Sequence, residues 1–311
     1  MSSSYLTLTN NVLGRLNEVQ LTASNFDSAR GIQTQTKEAV NQSIRYINQK
    51  EFAFPFNHAT ETKTLTAGTV RYSLPTSTKQ VDYNTFRLIK DDDLATSGGK
   101  LGILQYNDYV NNYITQEDEI VTTTLDGSLT DSATTVTVAS TTGFDSAGTL
   151  HIGNEQITYT GTTSTTFTGA TRGAGGTTTA AHSDATQVAQ FEEGGVPRYV
   201  VRSPDNGYLL YPFPTKSFSV KFDYYTFPTD LSSATDTTSI PARFDAVIID
   251  GATAFVYQYR GETAQYQLNF ARFEQGIKNM QTLLVNKFEY IRSTFIPRTP
   301  TNVLDLNPRV L

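Results

Sequence analysis

The sequence predicts an α+β protein in which a helical bundle from N- and C-terminal helices packs with an antiparallel β-sheet, plus an inserted all-β module. Three observations predict it. Apolar residues recur at helical spacing near both ends of the chain. They alternate with polar residues through the middle. Between 121 and 190, Ser and Thr dominate the composition, with no helical period. The expected organisation is a core of 1–119 and 196–296, an inserted Thr/Ser/Gly-rich module at 120–195, and an extended tail at 297–311.

In chain order, "YLTLTNNVLGRLNEV" places Leu6, Val12, Leu13 and Leu16 on one helical face. "ASNFDSAR" then supplies a turn, with Ser24 or Asn25 as the capping candidate for a second helix ending near Lys50. Ile32, Val40, Ile44 and Ile47 are its inward residues; Gln33, Lys37 and Gln42 are polar. Pro55 stops the helical pattern. "ETKTLT" and "TVRYSLP" read as two strands around a turn at Ala67-Gly68, followed by strands in "TFRLIK" and "LGILQY". After 195, "RYVVRS", the turn "PDNG" and "YLLYPFP" predict a hairpin, and Val220, Phe222 and Tyr224 alternate as one buried face of a further strand. Inside the module, "TTVTVAS", "GTLHIGN", "EQITYTGT" and "TTFTGAT" read as short strands. "YNDYVNNYITQEDE" and "FEEGGVPRYV" on its flanks are expected to be neighbouring parts of the larger sheet. Helices resume at "IPARFDAVIIDGATAFVYQYRG", with Pro241 near the start and Gly261 as the stop. The next helix carries Tyr266, Phe270, Phe273, Ile277, Met280, Leu284, Phe288 and Ile291 at three- and four-residue spacing, a bundle or subunit-interface stripe. The last stretch has three prolines and reads as extended.

Composition removes several function classes. With no cysteine, disulfides, thiolate metal sites and cysteine nucleophiles are excluded. The N-terminus has no signal-peptide pattern and no run approaches membrane-spanning length, which predicts a soluble protein made in a cytoplasm. Residues 120–195 hold seven acids (Asp126, Asp131, Asp145, Glu155, Asp184, Glu192, Glu193) against one base, Arg172, so they carry the whole net charge of −6. A neutral body with an acidic module argues against tight nucleic-acid binding.

No catalytic, cofactor or metal site is expected. In "TGATRGAGGTTTAAHSDAT", Gly173, Gly175 and Gly176 lead into strand-flanked threonines with no lysine after them, unlike a phosphate-binding loop; positive-φ turn positions are the reading. His182, Ser183 and Asp184 are consecutive and point apart, so a solvated loop is expected in place of a triad. "DDD" at 91–93 and "EDE" at 117–119 lack EF-hand spacing, and His58, His151 and His182 lack zinc-motif spacing. Tyr208, Tyr211, Tyr224 and Tyr225 form either a stacking platform for sugar or base, or a sheet surface or interface core.

The order of elements is similar to the head-to-tail adaptors of tailed phages, in particular the tail tubular protein A group of short-tailed phages. The resemblance rests on Phe52 and Phe54 ending a helix before a strand, on Tyr72, Leu74 and Pro75, and on "ARFDAVIIDGATAFVYQYRG" before a long helix; it covers 5–115 and 196–296. The module looks like Thr/Gly-rich β modules of phage virion proteins, through "GNEQITYTG" and "TRGAGGT". The resemblance implies a virion neck protein assembled in the host cytoplasm. It forms a ring, commonly of twelve copies, between portal and tail nozzle, with DNA as transient cargo. The module would face fibres or capsid parts, and the tail would grip the portal through Val303, Leu304, Leu306 and Val310. The alternatives are a receptor- or carbohydrate-binding virion protein, expected to be a trimer, and thirdly a glycan hydrolase with a carboxylate pair.

Overall fold

A computed structural model gives the fold and describes residues 3–51, 53–89, 99–114, 117, 119–192 and 194–285. The protein is α+β, with five helices and four sheets among the described residues. It divides into two compact units, Met1–His58 with Phe227–Leu311, and Ala59–Thr226.

The helical unit begins with α1 (Tyr5–Arg15), whose free N-terminal amides are met by Ser4. The Ser4 hydroxyl accepts from Thr7 N–H at 3.2 Å. The second helix, α2 (Ile32–Lys50), starts after Gly31 at φ 58°, a conformation glycine adopts without strain. Ser24 and Asn25 do not cap it. Asn25 instead accepts from Thr22 N–H at 2.7 Å, closing the turn between the helices. Helices α4 (Asp245–Arg260) and α5 (Thr263–Leu284) complete the unit, and Gly261 ends α4 in the left-handed region at φ 76°, the usual glycine stop. Tyr5, Leu8, Val12, Val40, Ile44, Ile47, Ile248, Phe255, Phe273, Ile277 and Met280 share one apolar core. The polar side chains of Asn41 and Ser43 that enter it are partnered. Asn41 donates to the Leu231 carbonyl at 2.9 Å and accepts from Leu231 N–H at 3.0 Å, and Ser43 donates to the Ile248 carbonyl at 3.0 Å. At Gly251 of α4 a methyl group would meet the Phe273 ring at 2.7 Å, so a glycine lets α4 lie against α5.

The second unit is layered. Its outer sheet has the order β1-β15-β3, from β1 (His58–Thr64), β3 (Thr78–Leu88) and β15 (Ser219–Thr226). Its central sheet has the order β2-β14-β13-β4, from β2 (Arg71–Ser73), β4 (Gly102–Leu104), β13 (Tyr199–Arg202) and β14 (Gly207–Tyr211). Strand alternation sends Val200, Tyr208 and Leu210 into a core shared with Phe86, Val220, Phe222 and Tyr224 of the outer sheet. Val201 and Leu209 point the other way, into a core with Ala189 and Phe191 of the module. β1 and β2 flank the Ala67-Gly68 turn and join different sheets. Two expectations are corrected here. The central sheet is mixed, because β4 pairs with β13 in parallel. Residues Tyr106–Asn112 form a helix, α3, where strand was expected. Tyr106, Tyr109, Val110 and Tyr113 recur at helical spacing and pack in the same core as Val201.

Residues 121–190 build two antiparallel sheets of their own. One has the order β11-β8-β7-β12-β5, from β5 (Val121–Thr124), β7 (Gly148–Ile152), β8 (Glu155–Tyr159), β11 (Thr171–Ala174) and β12 (Gln187–Gln190). The other has the order β6-β10-β9, from β6 (Thr135–Thr137), β9 (Gly161–Thr162) and β10 (Thr166–Thr168). They enclose Leu125, Val136, Val138, Leu150, Ile152, Ile157, Tyr159, Phe167 and Val188.

Candidate functional site

The polar cluster of the module lies in the glycine-rich stretch and on β8. Glu155 opens β8 and Arg172 lies on the neighbouring β11, so their side chains meet across the pair. The Glu155 carboxylate accepts from Arg172 Nε at 2.8 Å and Nη2 at 2.6 Å, from His182 Nε2 at 2.8 Å, and from the backbone N–H of Gly173 at 3.1 Å and Ala180 at 3.2 Å. Arg172 also donates to the Ala180 carbonyl at 2.6 Å and to the Thr130 carbonyl. The three side chains are 1%, 6% and 9% exposed for Glu155, Arg172 and His182. The solvated loop expected at 182 is therefore corrected: His182 is folded inward, and the stretch "TRGA" is a strand.

This arrangement binds the chain to itself. Every donor aimed at Glu155 comes from 172–182, so one carboxylate fastens the whole return from β11 to His182. Gly173, Gly175 and Gly176 have φ of 64°, 61° and 77°, as turn geometry requires. Asp184 accepts from Gly127 N–H at 2.8 Å. It does not stand behind the His182 ring, so the triad geometry is absent.

Burial alone would raise the Glu155 pKa, but the bonds from Arg172, His182 and the two amides outweigh it and hold the value at about 2, below the ordinary 4.5. A carboxylate depressed on folding stabilises the fold above its unfolded pKa and loses that contribution as pH falls through the folded one. A depression of this size corresponds to about 3 kcal/mol. The melting temperature of the second unit is expected to fall between pH 4.5 and about 2, and Glu155→Gln should flatten that fall in a calorimetric pH series.

The remaining candidates resolve as packing. Glu117 of "EDE" accepts from Tyr109 Oη at 2.7 Å and from Arg71 Nε at 3.0 Å, tying α3 to β2. Asp91–Asp93 and Asp118 lie outside the described residues. His151 stacks on Phe191 with ring centres 4.0 Å apart. His58 opens β1 and is exposed. No group of three His, Cys, Asp or Glu suited to a metal ion occurs among the described residues. Tyr208 and Tyr224 are buried in the core of the second unit, Tyr211 stacks on Tyr113 at 4.1 Å, and Tyr225 is half-buried, so the four do not make an open platform. On α5, Phe273, Ile277 and Met280 are buried in the chain's own helical core, and Tyr266, Phe270 and Leu284 are half-buried. Phe52, Phe288, Ile291, Val303, Leu304, Leu306 and Val310 lie outside the described residues.

The family model of the SU10 adaptor protein matches residues 106–288, more than half of the chain. The chain belongs to the SU10 adaptor protein family. Its matched span runs from α3 through the β module, β13 to β15 and α4 to α5, so it includes the Glu155 cluster, where the resemblance read from the sequence stopped at 115 and resumed at 196. No curated protein matches the chain. As a member of a phage head–tail adaptor family it is a structural component of the virion, and an adaptor works by contact with other head and tail proteins. The family is structural, not catalytic, and its member here uses its most polar buried cluster to hold a loop. No described helix is long and apolar enough to cross a membrane.

Proposed function

We propose that this adaptor closes into a ring, of twelve copies by the resemblance, that joins the phage portal to the tail nozzle and lets DNA pass. The family match over α3 to α5 carries the reading. The helices would act as a bundle set against the β-sheet, with the exposed side of α5, where Leu268 is 50% and Leu283 is 73% exposed, available to a neighbour. The adaptor core would be 1–119 with 196–296, and the module at 120–195 an insertion whose free surface meets fibres. The tail at 297–311 would take hold of the portal through Val303, Leu304, Leu306 and Val310, ordering as it binds. Assembly would take place in the host cytoplasm. A receptor-binding role through a tyrosine platform loses its support with Tyr208 and Tyr224 inside the core.

Light scattering of the protein alone and with its phage's portal tests the reading. The expected result is a small species alone and a high-order complex with portal. Deleting 297–311 should leave a folded protein that no longer binds portal. A stable trimer indifferent to portal would discard the proposal.

A further inference from the structure

The outer sheet of the second unit carries a row of like charges. Lys221 of β15 stands directly opposite Arg87 of β3, and Arg87 is bridged on its other side to Lys100. The three strand segments are tied by Ile89 N–H to Ser219 carbonyl at 2.8 Å and Leu101 N–H to Phe86 carbonyl at 2.8 Å. Their neighbours Val220, Phe222, Phe86 and Leu101 are buried in the core, so by strand alternation all three bases share the solvent face. Directly opposed like charges destabilise a sheet. None of the three meets a carboxylate among the described residues; the one side-chain bond of Arg87 goes to the Thr85 carbonyl at 3.3 Å. Beyond a register shift in the same strand pair, Asp223 stands opposite Asp82.

The complementary surface is on the same chain. With Arg172 and Glu155 paired inside, the exposed charges of the described module are all acidic: Asp126, Asp131, Asp145, Asp184 and Glu192. Asp126, Asp131 and Asp184 belong to one region, where Gly127 N–H meets Asp184 and Leu129 bridges His182. The module packs on the face of the central sheet opposite to the one that meets the outer sheet. Among the described residues no ion pair joins Asp126, Asp131 or Asp184 to Lys221, Arg87 or Lys100 within one copy. The two surfaces are therefore left to pair between copies.

We propose that the Lys221–Arg87–Lys100 face receives the acidic side of the β module of a second copy of this chain. Such a contact uses two different patches, is head-to-tail, and propagates around a ring when its rotation closes. It rests on the ring reading above and supplies that ring with a specific charge-paired interface.

The test is charge exchange in the full chain, with assembly on portal followed by sedimentation at low and high salt. Arg87→Glu/Lys221→Glu should weaken assembly at least about tenfold, as should Asp126→Lys/Asp131→Lys, while wild-type assembly weakens with salt. Mixing the two variants in equal amounts should restore assembly, because each reversed face then meets a reversed module in alternation. Restoration also excludes misfolding as the cause of the loss. Assembly equal to wild type in both variants, or no recovery on mixing, overturns the inference while leaving the ring intact. Loss of duplex DNA retention with assembly unchanged would assign the row to phosphate and overturn it as well. Dependence on Asp91–Asp93, read from their triple Asn variant, in place of the module's acids would do the same. A wild-type protein that never assembles with portal overturns both the ring and this interface.

Discussion

Glu155→Ala is expected to destabilise the β module by about 3–5 kcal/mol, the usual cost of removing one partner from a buried ion pair. The loss has two parts. Arg172, with its side chain 6% exposed, is left as a buried charge without its carboxylate, and the amides of Gly173 and Ala180 lose their acceptor. Hydrogen exchange isolates the effect from the helical unit: amides of β8 and β11 should lose protection, and those of α2 and α4 should not. The pair is a poor source of net stability if replaced as a pair, since apolar groups of similar volume cost less to bury. Glu155→Leu/Arg172→Leu is therefore expected to be more stable than the sum of its single variants, and a double-mutant cycle measures the difference. Unaltered β11 protection in Glu155→Ala would refute the latch.

The second large effect is expected at Phe273→Ala, about 3–5 kcal/mol for a fully buried ring. Phe273 meets Tyr46, Phe255 and Phe270 with ring centres 5.3, 6.1 and 6.1 Å away, so its loss opens a cavity bounded by rigid rings. Gly251 sits against the same ring and cannot fill it. Gly251→Ala should destabilise the wild-type protein by overpacking, roughly 1–3 kcal/mol, because the added methyl strikes both Ser43 Oγ of α2 and the Phe273 ring. It should cost less in the Phe273→Ala background, where only the Ser43 contact remains. Chemical denaturation followed by helical circular dichroism reads both. Additive effects measured in a Ser43→Ala background would show that α4 and α5 do not meet as described.

Periodic elements were legible because burial repeats with the backbone. Val220, Phe222 and Tyr224 mark one face of β15, Ser203–Gly207 turns the β13–β14 hairpin, and the α5 stripe finds its core at Phe273, Ile277 and Met280. What was not legible depended on partners distant in the chain. The two strands around Gly68 were legible but their partners were not: each pairs near the end of the second unit, β1 with β15 and β2 with β14. Helix α3 spans only seven residues, and its aromatic spacing is too brief to stand out from a strand. The polar groups of α2 gave no sign that Asn41 would bond Leu231. The Glu155 cluster joins residues 17 and 27 positions apart, and no fixed spacing encodes it. Its one signal was arithmetic: a single base among seven acids is a candidate for burial with one of them.

The helical unit is assembled from the two ends of the chain, Met1–His58 and Phe227–Leu311, with the whole second unit between them. On the ribosome, α1 and α2 emerge before Ala59–Thr226, with apolar faces that α4 and α5 cover in the folded chain. Those faces wait while all of Ala59–Thr226 is made. At ordinary synthesis rates the wait is roughly ten seconds or more. Ala59–Thr226 is continuous in sequence and can fold during that interval. The helical core thus closes only after the second unit has been made.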